Sequence, residues 1–197
     1  MRLRTSSALL AVALLAAAAP TASASAGSGQ PAPGPYAQLH PIASLSADRL
    51  ATADLVAAAK WGTGSPIDDP AREQIVLDTV REQARDAGAD PEATVRIFRD
   101  QIEANKLVQR GLHSLWTADP AKAPAERPDL AEVRKEINRV NGELVRAIAG
   151  SATARSAPYC RGVLALSALQ VHHDKGLDRL HGKALARAVP SVCADED

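Results

Sequence analysis

Residues 90–116 read DPEATVRIFRDQIEANKLVQRGLHSLW, and their periodicity decides the fold class. Asp90 followed by Pro91 is a helix start, because Asp caps the first turn and Pro is tolerated at the first helical position. From there Phe98, Ile102, Asn105, Gln109, Leu112 and Trp116 recur at steps of three or four, the spacing of one helical face. Working outward, Asp69-Pro70 opens another helix in the same way, running through Val76 and Val80 to Gly88. Before it, a helix is expected from about Pro41 to Trp61. Its inward slots are Ile42, Leu45, Arg49, Ala53, Val56 and Lys60, and Gly62-Thr63-Gly64-Ser65-Pro66 ends it. After a Pro-rich connection from Ala118 to Pro128, a fourth helix starts at Asp129. Glu132 three residues on fits a capping box. Leu130, Val133, Ile137, Val140, Leu144 and Ile148 form its apolar row, and Gly150 ends it. Helical pattern returns from about Pro158 to Val189, broken near Lys175-Gly176 and stopped by Pro190. No stretch alternates like a strand and no internal repeat is present. The spacing predicts an all-α domain of about six helices.

Composition agrees. The chain of 197 residues has 23 basic and 23 acidic side chains and only 3% aromatics. Alanine, the strongest helix former, is abundant, and few segments are rich in β-branched residues. Balanced charge implies no strong attraction to nucleic acid or to a membrane surface.

The N-terminus predicts export. Arg2 and Arg4 precede an Ala/Leu/Val run from about Ser7 to Ala19, and Ala24-Ser25-Ala26 fits a signal-peptidase site. Cleavage is expected after Ala26, with Ala24 the alternative; an uncleaved anchor is disfavoured because the apolar run is short. Residues 1–26 are therefore read as a signal peptide, 27–36 as a Gly/Ser/Pro-rich flexible leader and 37–197 as one domain. Outside the reducing cytosol, Cys160 and Cys193 read as an intramolecular disulfide, with two buried free thiols as the alternative.

Several polar residues intrude on the apolar rows, and burying a charge without a partner is costly. Arg49 and Lys60 are eleven residues apart, about three turns, so they share a face. Arg72 lies in the first turn of its helix, on the row of Val76 and Val80. Asn105 and Gln109 interrupt the third helix one turn apart, where both can address one object. Arg134 stands between Leu130 and Ile137. Each alone reads as an edge-of-core ion pair or a snorkelling side chain. Together they are four cations and two amides facing inward, with Asp69 and Glu73 the nearest acids in sequence. Such a group suits an anionic ligand, because Arg contacts carboxylates bidentately. No Gly-rich phosphate loop and no Ser/His/Asp arrangement accompanies it. His172, His173 and His181 read as surface or helix-end residues rather than metal ligands, and His113 beside Trp116 reads as packing. The pocket thus describes either binding of a small dianion or a reaction that needs only positioning and charge stabilisation. No cofactor and no metal is implied.

These residues resemble a known family, the all-helical chorismate mutases, and within them the secreted gamma subclass. Lys60, followed by Pro66-Ile67-Asp68-Asp69-Pro70-Ala71-Arg72-Glu73, is similar to the family's Lys…Asp-x-x-Arg-Glu signature. The segment from Phe98 to Gln109 is similar to the subclass's third-helix motif, which ends in a catalytic amide. The export signal, the paired C-terminal cysteines and an Arg at the start of the fourth helix complete the resemblance, which spans about residues 37 to 193. It implies that Arg49, Arg72 and Arg134 hold the two carboxylates of chorismate. Lys60 and Gln109 would bond the ether oxygen, Glu73 and the backbone near Asp69 would meet the ring hydroxyl, and Asn105 would help from the wall. Lys60, Gln109 and Arg72 would be the catalytic residues, and Lys106, one step round the helix from Asn105, would only line the rim. The resemblance further implies a cofactor-free isomerase, a pocket built within one chain, and a homodimer. An exported helical protein that binds a small anion without turnover is the alternative.

Overall fold

The computed structural model describes residues 33–194; the signal peptide expected over 1–26 lies outside the described residues. Seven α-helices follow in order: α1 (Pro35–Lys60), α2 (Pro70–Asp86), α3 (Pro91–Ala118), α4 (Leu130–Ala149), α5 (Ala152–Arg155), α6 (Cys160–Asp174) and α7 (Arg179–Ala188). Short 3-10 turns lie at Pro120–Lys122 and Pro190–Val192. There is no strand among the described residues, and none of their helices is long and apolar enough to cross a membrane.

Local chemistry starts the helices. The Asp69 side chain accepts from the Arg72 amide, Asp90 from the Glu92 and Ala93 amides, Asp129 from the Ala131 amide and Asp178 from the His181 amide. Each satisfies an amide that a helix start would otherwise leave unpaired. The expected capping box at Glu132 does not form; its carboxylate accepts from Lys135 Nζ at 2.7 Å instead, one turn along an exposed face.

Two further expectations are corrected. Helix α1 begins at Pro35, six residues before the expected start and inside the expected leader, with Pro41 in its interior. An interior Pro removes one helical hydrogen bond. Its ring is exposed, and the added turn buries Leu39 completely. The pattern expected from Pro158 to Val189 starts at Cys160 and divides into α6 and α7 at the anticipated Lys175-Gly176 break. The four-residue α5 was not anticipated.

Helix α1 is the axis of the domain and packs on α3, α4, α6 and α7, while α2 lies across α3 and α4. It therefore buries more than one stripe: Ala43, Leu50, Ala53 and Ala57 are fully buried beside Leu39 and Ile42. Alanines there let the surrounding helices approach closely. The Cys160–Cys193 disulfide forms, with the Cα atoms 5.8 Å apart, and ties the start of α6 to the end of the chain. Closing a loop of that separation, 33 residues, contributes about 3–4 kcal/mol in the chain-entropy account.

His181 clasps α7 to α1. Its Nδ1 meets Asp178 Oδ1 at 2.8 Å and its Nε2 meets Asp54 Oδ1 at 3.0 Å. Burial opposes charging the ring, but the two carboxylates overcome it and raise its pKa. Burial also pushes Asp54 up against the pull of His181, whereas the His181 amide holds Asp178 down, so Asp178 is the stronger partner. A raised folded pKa means that this contribution is complete below the unfolded value of about 6.5 and is lost as pH rises through the folded value. The Tm difference between the wild type and His181→Gln is expected to be largest below the unfolded value of about 6.5 and to shrink as pH rises through the raised folded value. A difference that does not vary with pH in thermal melts would remove this role.

Candidate functional site

A cavity of about 110 Å³ lies where α1, α2, α3 and α4 meet. Helix α1 contributes Arg49 and Lys60; α2 and its cap contribute Asp69, Arg72 and Glu73; α3 contributes Asn105, Lys106 and Gln109; α4 contributes Arg134. Val56, Val76, Ile102, Leu130 and Ile137 supply the apolar wall. All eight residues singled out in the sequence for the pocket line this one cavity, together with Lys106.

Arg49 is held most rigidly. It is 4% exposed, and its Nε donates to Asn141 Oδ1 at 2.9 Å and its Nη1 to the Gln101 carbonyl at 2.8 Å. Those two bonds fix the plane of the guanidinium and leave three of its five N–H groups for another partner. Burial lowers its pKa to about 10, so it stays cationic at neutral pH.

The two amides of α3 form a relay whose direction is determined. The Arg49 carbonyl can only accept, so Asn105 presents Nδ2 to it at 3.3 Å. Asn105 Oδ1 then faces Gln109, which donates from Nε2 at 2.8 Å. Gln109 is thereby held by its donor end, with one Nε2 proton still to place. Its Oε1 is buried with no hydrogen-bond partner among the described residues.

The remaining cations differ in how they are engaged. The Arg72 backbone amide is used by the Asp69 cap, but its guanidinium and that of Arg134 find no acceptor among the described residues, although both lie at the cavity half-buried. Two half-buried guanidiniums without acceptors favour an anion between them. Lys60 Nζ donates to the Pro66 and Ile67 carbonyls. Burial lowers its pKa, Asp69 opposes that shift and Arg134 adds to it.

Lys106 departs from the expectation that it only lines the rim. It is buried, and its Nζ lies 3.1 Å from Glu73, 2.5 Å from Glu103 and 3.3 Å from Asp68. Against the desolvation of its burial, bonds to Glu103 and Glu73 hold its pKa above the ordinary value. It neutralises the carboxylates at the mouth. Lys106→Met is expected to raise KM for a dianionic substrate roughly tenfold, about 1.4 kcal/mol of binding, with a smaller change in kcat. Unchanged KM in steady-state kinetics would count against this.

Comparison with known proteins decides the family. Residues 41–110 match the chorismate mutase type II family. A secreted chorismate mutase of Mycolicibacterium smegmatis is 38% identical over 155 residues, covering 79% of this chain and 86% of the relative. One of Mycobacterium tuberculosis is 35% identical over 157 residues, covering 80% and 79%. The chain belongs to the chorismate mutase family. Among solved structures, the chorismate mutase of Burkholderia phymatum superposes with a TM-score of 0.77 at 36% identity, covering 82% of this chain and 99% of that one.

The stretch matched to the family ends at Arg110, so it carries Arg49, Lys60, Asp69, Arg72, Glu73, Asn105 and Gln109 but not Arg134. Arg134 joins the cavity only because α4 packs against α1 and α2. Sequence reasoning missed Asn141 and the Lys106 ion pairs. Asn141 sits beside Val140 on α4, and a buried amide next to a core row was the one signal available. The cysteines that close the disulfide lie away from this cavity, and no group of three or more potential metal ligands is present among the described residues.

Proposed function

We propose that the protein catalyses the rearrangement of chorismate to prephenate, as an exported enzyme of the Phe/Tyr branch of aromatic amino acid biosynthesis. The observation that carries this reading is the convergence of Arg72 and Arg134, which have no acceptor among the described residues, with Lys60 and Gln109 on one cavity, in a chain of this family. Membership gives the reaction class, and the side chains suit its charge distribution. Chorismate carries two carboxylates, and Arg49, Arg72 and Arg134 supply the guanidiniums to hold them. Lys60 and Gln109 supply N–H donors for the ether oxygen. Glu73 and the backbone near Asp69 are set for the ring hydroxyl, and Asn105 acts from the wall.

The chemistry needs nothing more from the protein. Within one molecule the ether C–O bond breaks while a C–C bond forms, with no proton transferred and no covalent intermediate. Holding the folded diaxial conformer brings the two ends together and supplies several kcal/mol of the barrier reduction. The ether oxygen gains negative charge as its bond lengthens, so fixed donors stabilise the transition state more than the ground state. No step asks for a cofactor.

Export rests on residues 1–26, read as a cleaved signal peptide, on the disulfide, and on relatives named as secreted. With the signal removed, the remaining domain would be soluble, and the homodimer common in the resemblance is the expected assembly.

The test is loss of chorismate absorbance with the purified mature protein. Turnover blocked by a bicyclic dicarboxylate that mimics the transition state supports the reading. Anion binding without turnover would replace it with an exported small-anion-binding protein.

A further inference from the structure

Lys60 is the last residue of α1, and its ammonium has three protons. Two are used by the loop that follows: Nζ donates to the Pro66 carbonyl at 2.8 Å and to the Ile67 carbonyl at 3.3 Å. On a tetrahedral nitrogen, fixing two N–H directions fixes the third. The loop between α1 and α2 therefore sets the direction of the one proton that Lys60, a residue lining the cavity, still has to offer.

What holds the loop is equally specific. At its start, the Trp61 ring packs edge-on to Trp116 at 5.4 Å and to His113 at 5.1 Å. At its end, Asp69 caps α2. Between those anchors Gly62 and Gly64 both have positive φ, 68° and 74°, and the hydrogen bonds of the turn are short-range ones, Thr63 to the Lys60 carbonyl and the Ser65 amide to the Thr63 hydroxyl. The residue directly after the two carbonyls is Asp68. Its two carboxylate oxygens accept from Arg110 Nη2 at 2.7 and 2.9 Å, and Lys106 Nζ stands 3.3 Å away, both cations rising from α3.

We propose that the Asp68–Arg110 ion pair is a latch that seats the Pro66 and Ile67 carbonyls on Lys60, making Asp68 and Arg110 positioning residues for the reaction. The proposal rests on the chorismate mutase reading of the cavity. Asp68 and Arg110 are both exposed, and an exposed pair adds little to global stability. Breaking the latch releases the loop without unfolding the domain. Because Lys60 acts on charge that develops in the transition state, misaiming it lowers kcat and spares KM. Salt screens an exposed pair, so the latch also makes kcat sensitive to ionic strength.

The experiment uses full kinetics and thermal melts on Asp68→Asn, Arg110→Ala, the double variant, and Arg110→Ala in a Lys60→Ala background. Each single variant is expected to lose about fivefold to tenfold in kcat, the scale of a sub-ångström misplacement. KM and Tm stay near wild type. The double variant is no worse than either single one, and Arg110→Ala has no further effect once Lys60 is alanine. Wild-type kcat should fall with added NaCl, and that of the single variants should not. Single variants with wild-type kcat, beside an impaired Lys60→Ala, overturn the latch and leave the site reading standing. A further loss in the Lys60→Ala background also overturns it, because Arg110 then acts by another route. Wild-type turnover in Lys60→Ala overturns the site reading and the latch with it.

Discussion

Replacing Lys60 by alanine is expected to lower kcat for chorismate about 10²–10³-fold, or about 2.7–4 kcal/mol of transition-state stabilisation, the range measured when one preorganised donor to a developing oxyanion is removed. The loss should fall on kcat rather than KM, because the ether oxygen is nearly neutral in the ground state. The fold should survive. Lys60 ends α1, its carbonyl still accepts from the Thr63 amide and hydroxyl, and its side chain is half-buried rather than in the core. An unchanged helical circular dichroism spectrum would establish that. The same residue sets the alkaline limb of the pH profile. Burial, reinforced by Arg134, holds its pKa below the ordinary value of 10.5 despite Asp69. The ammonium is the active form, so kcat/KM should fall as pH rises through that lowered value. Arg134→Gln, which removes one cation, should move the limb upward. Full activity in Lys60→Ala would remove this residue from the mechanism.

Arg72→Ala is expected to reduce turnover at least about a hundredfold, since a bidentate guanidinium–carboxylate contact contributes two charge-assisted hydrogen bonds of about 1.5–3 kcal/mol each. Arg72 is a cleaner test than Arg49. Truncating Arg49 would strand the buried Asn141 Oδ1 and leave a void among core helices, so activity and stability would fall together. The Arg72 guanidinium has no acceptor among the described residues, and the helix cap uses only its backbone amide. Removing the side chain therefore orphans nothing. Arg72→Lys should recover only part of the loss, because an ammonium lacks the planar fork. Wild-type kcat/KM in Arg72→Ala, with an intact circular dichroism spectrum, would take Arg72 out of the site.

How much was legible before the structure varied with the range of the interaction. The helix starts at Asp69, Asp90 and Asp129 rest on contacts two or three residues away, and the structure has them where the sequence placed them. The row from Phe98 to Trp116 needs only the helical period, and Asn105 and Gln109 stand on it one turn apart. The start of α1 was misjudged because local propensity argues against helix before Pro41. The burial of Leu39 against distant helices overrides it. Asn141 was invisible as the holder of Arg49 because 92 residues separate them. Lys106 looked like a rim residue because Glu73 is 33 positions earlier on another helix.

The chain by itself settled what is periodic and local: an all-helical domain, the caps, and which face of each helix carries the polar intruders. Only the tertiary structure decided how those faces meet. It set α4 against α1 and α2 so that Arg134 joins Arg49 and Lys60, and it wrapped the loop after Lys60 back over its own ammonium. The physical reason is that a helix's period follows from its own hydrogen bonds. The partner a polar tip finds across a cavity depends on how separate helices pack, and that is settled by burial summed over the whole core.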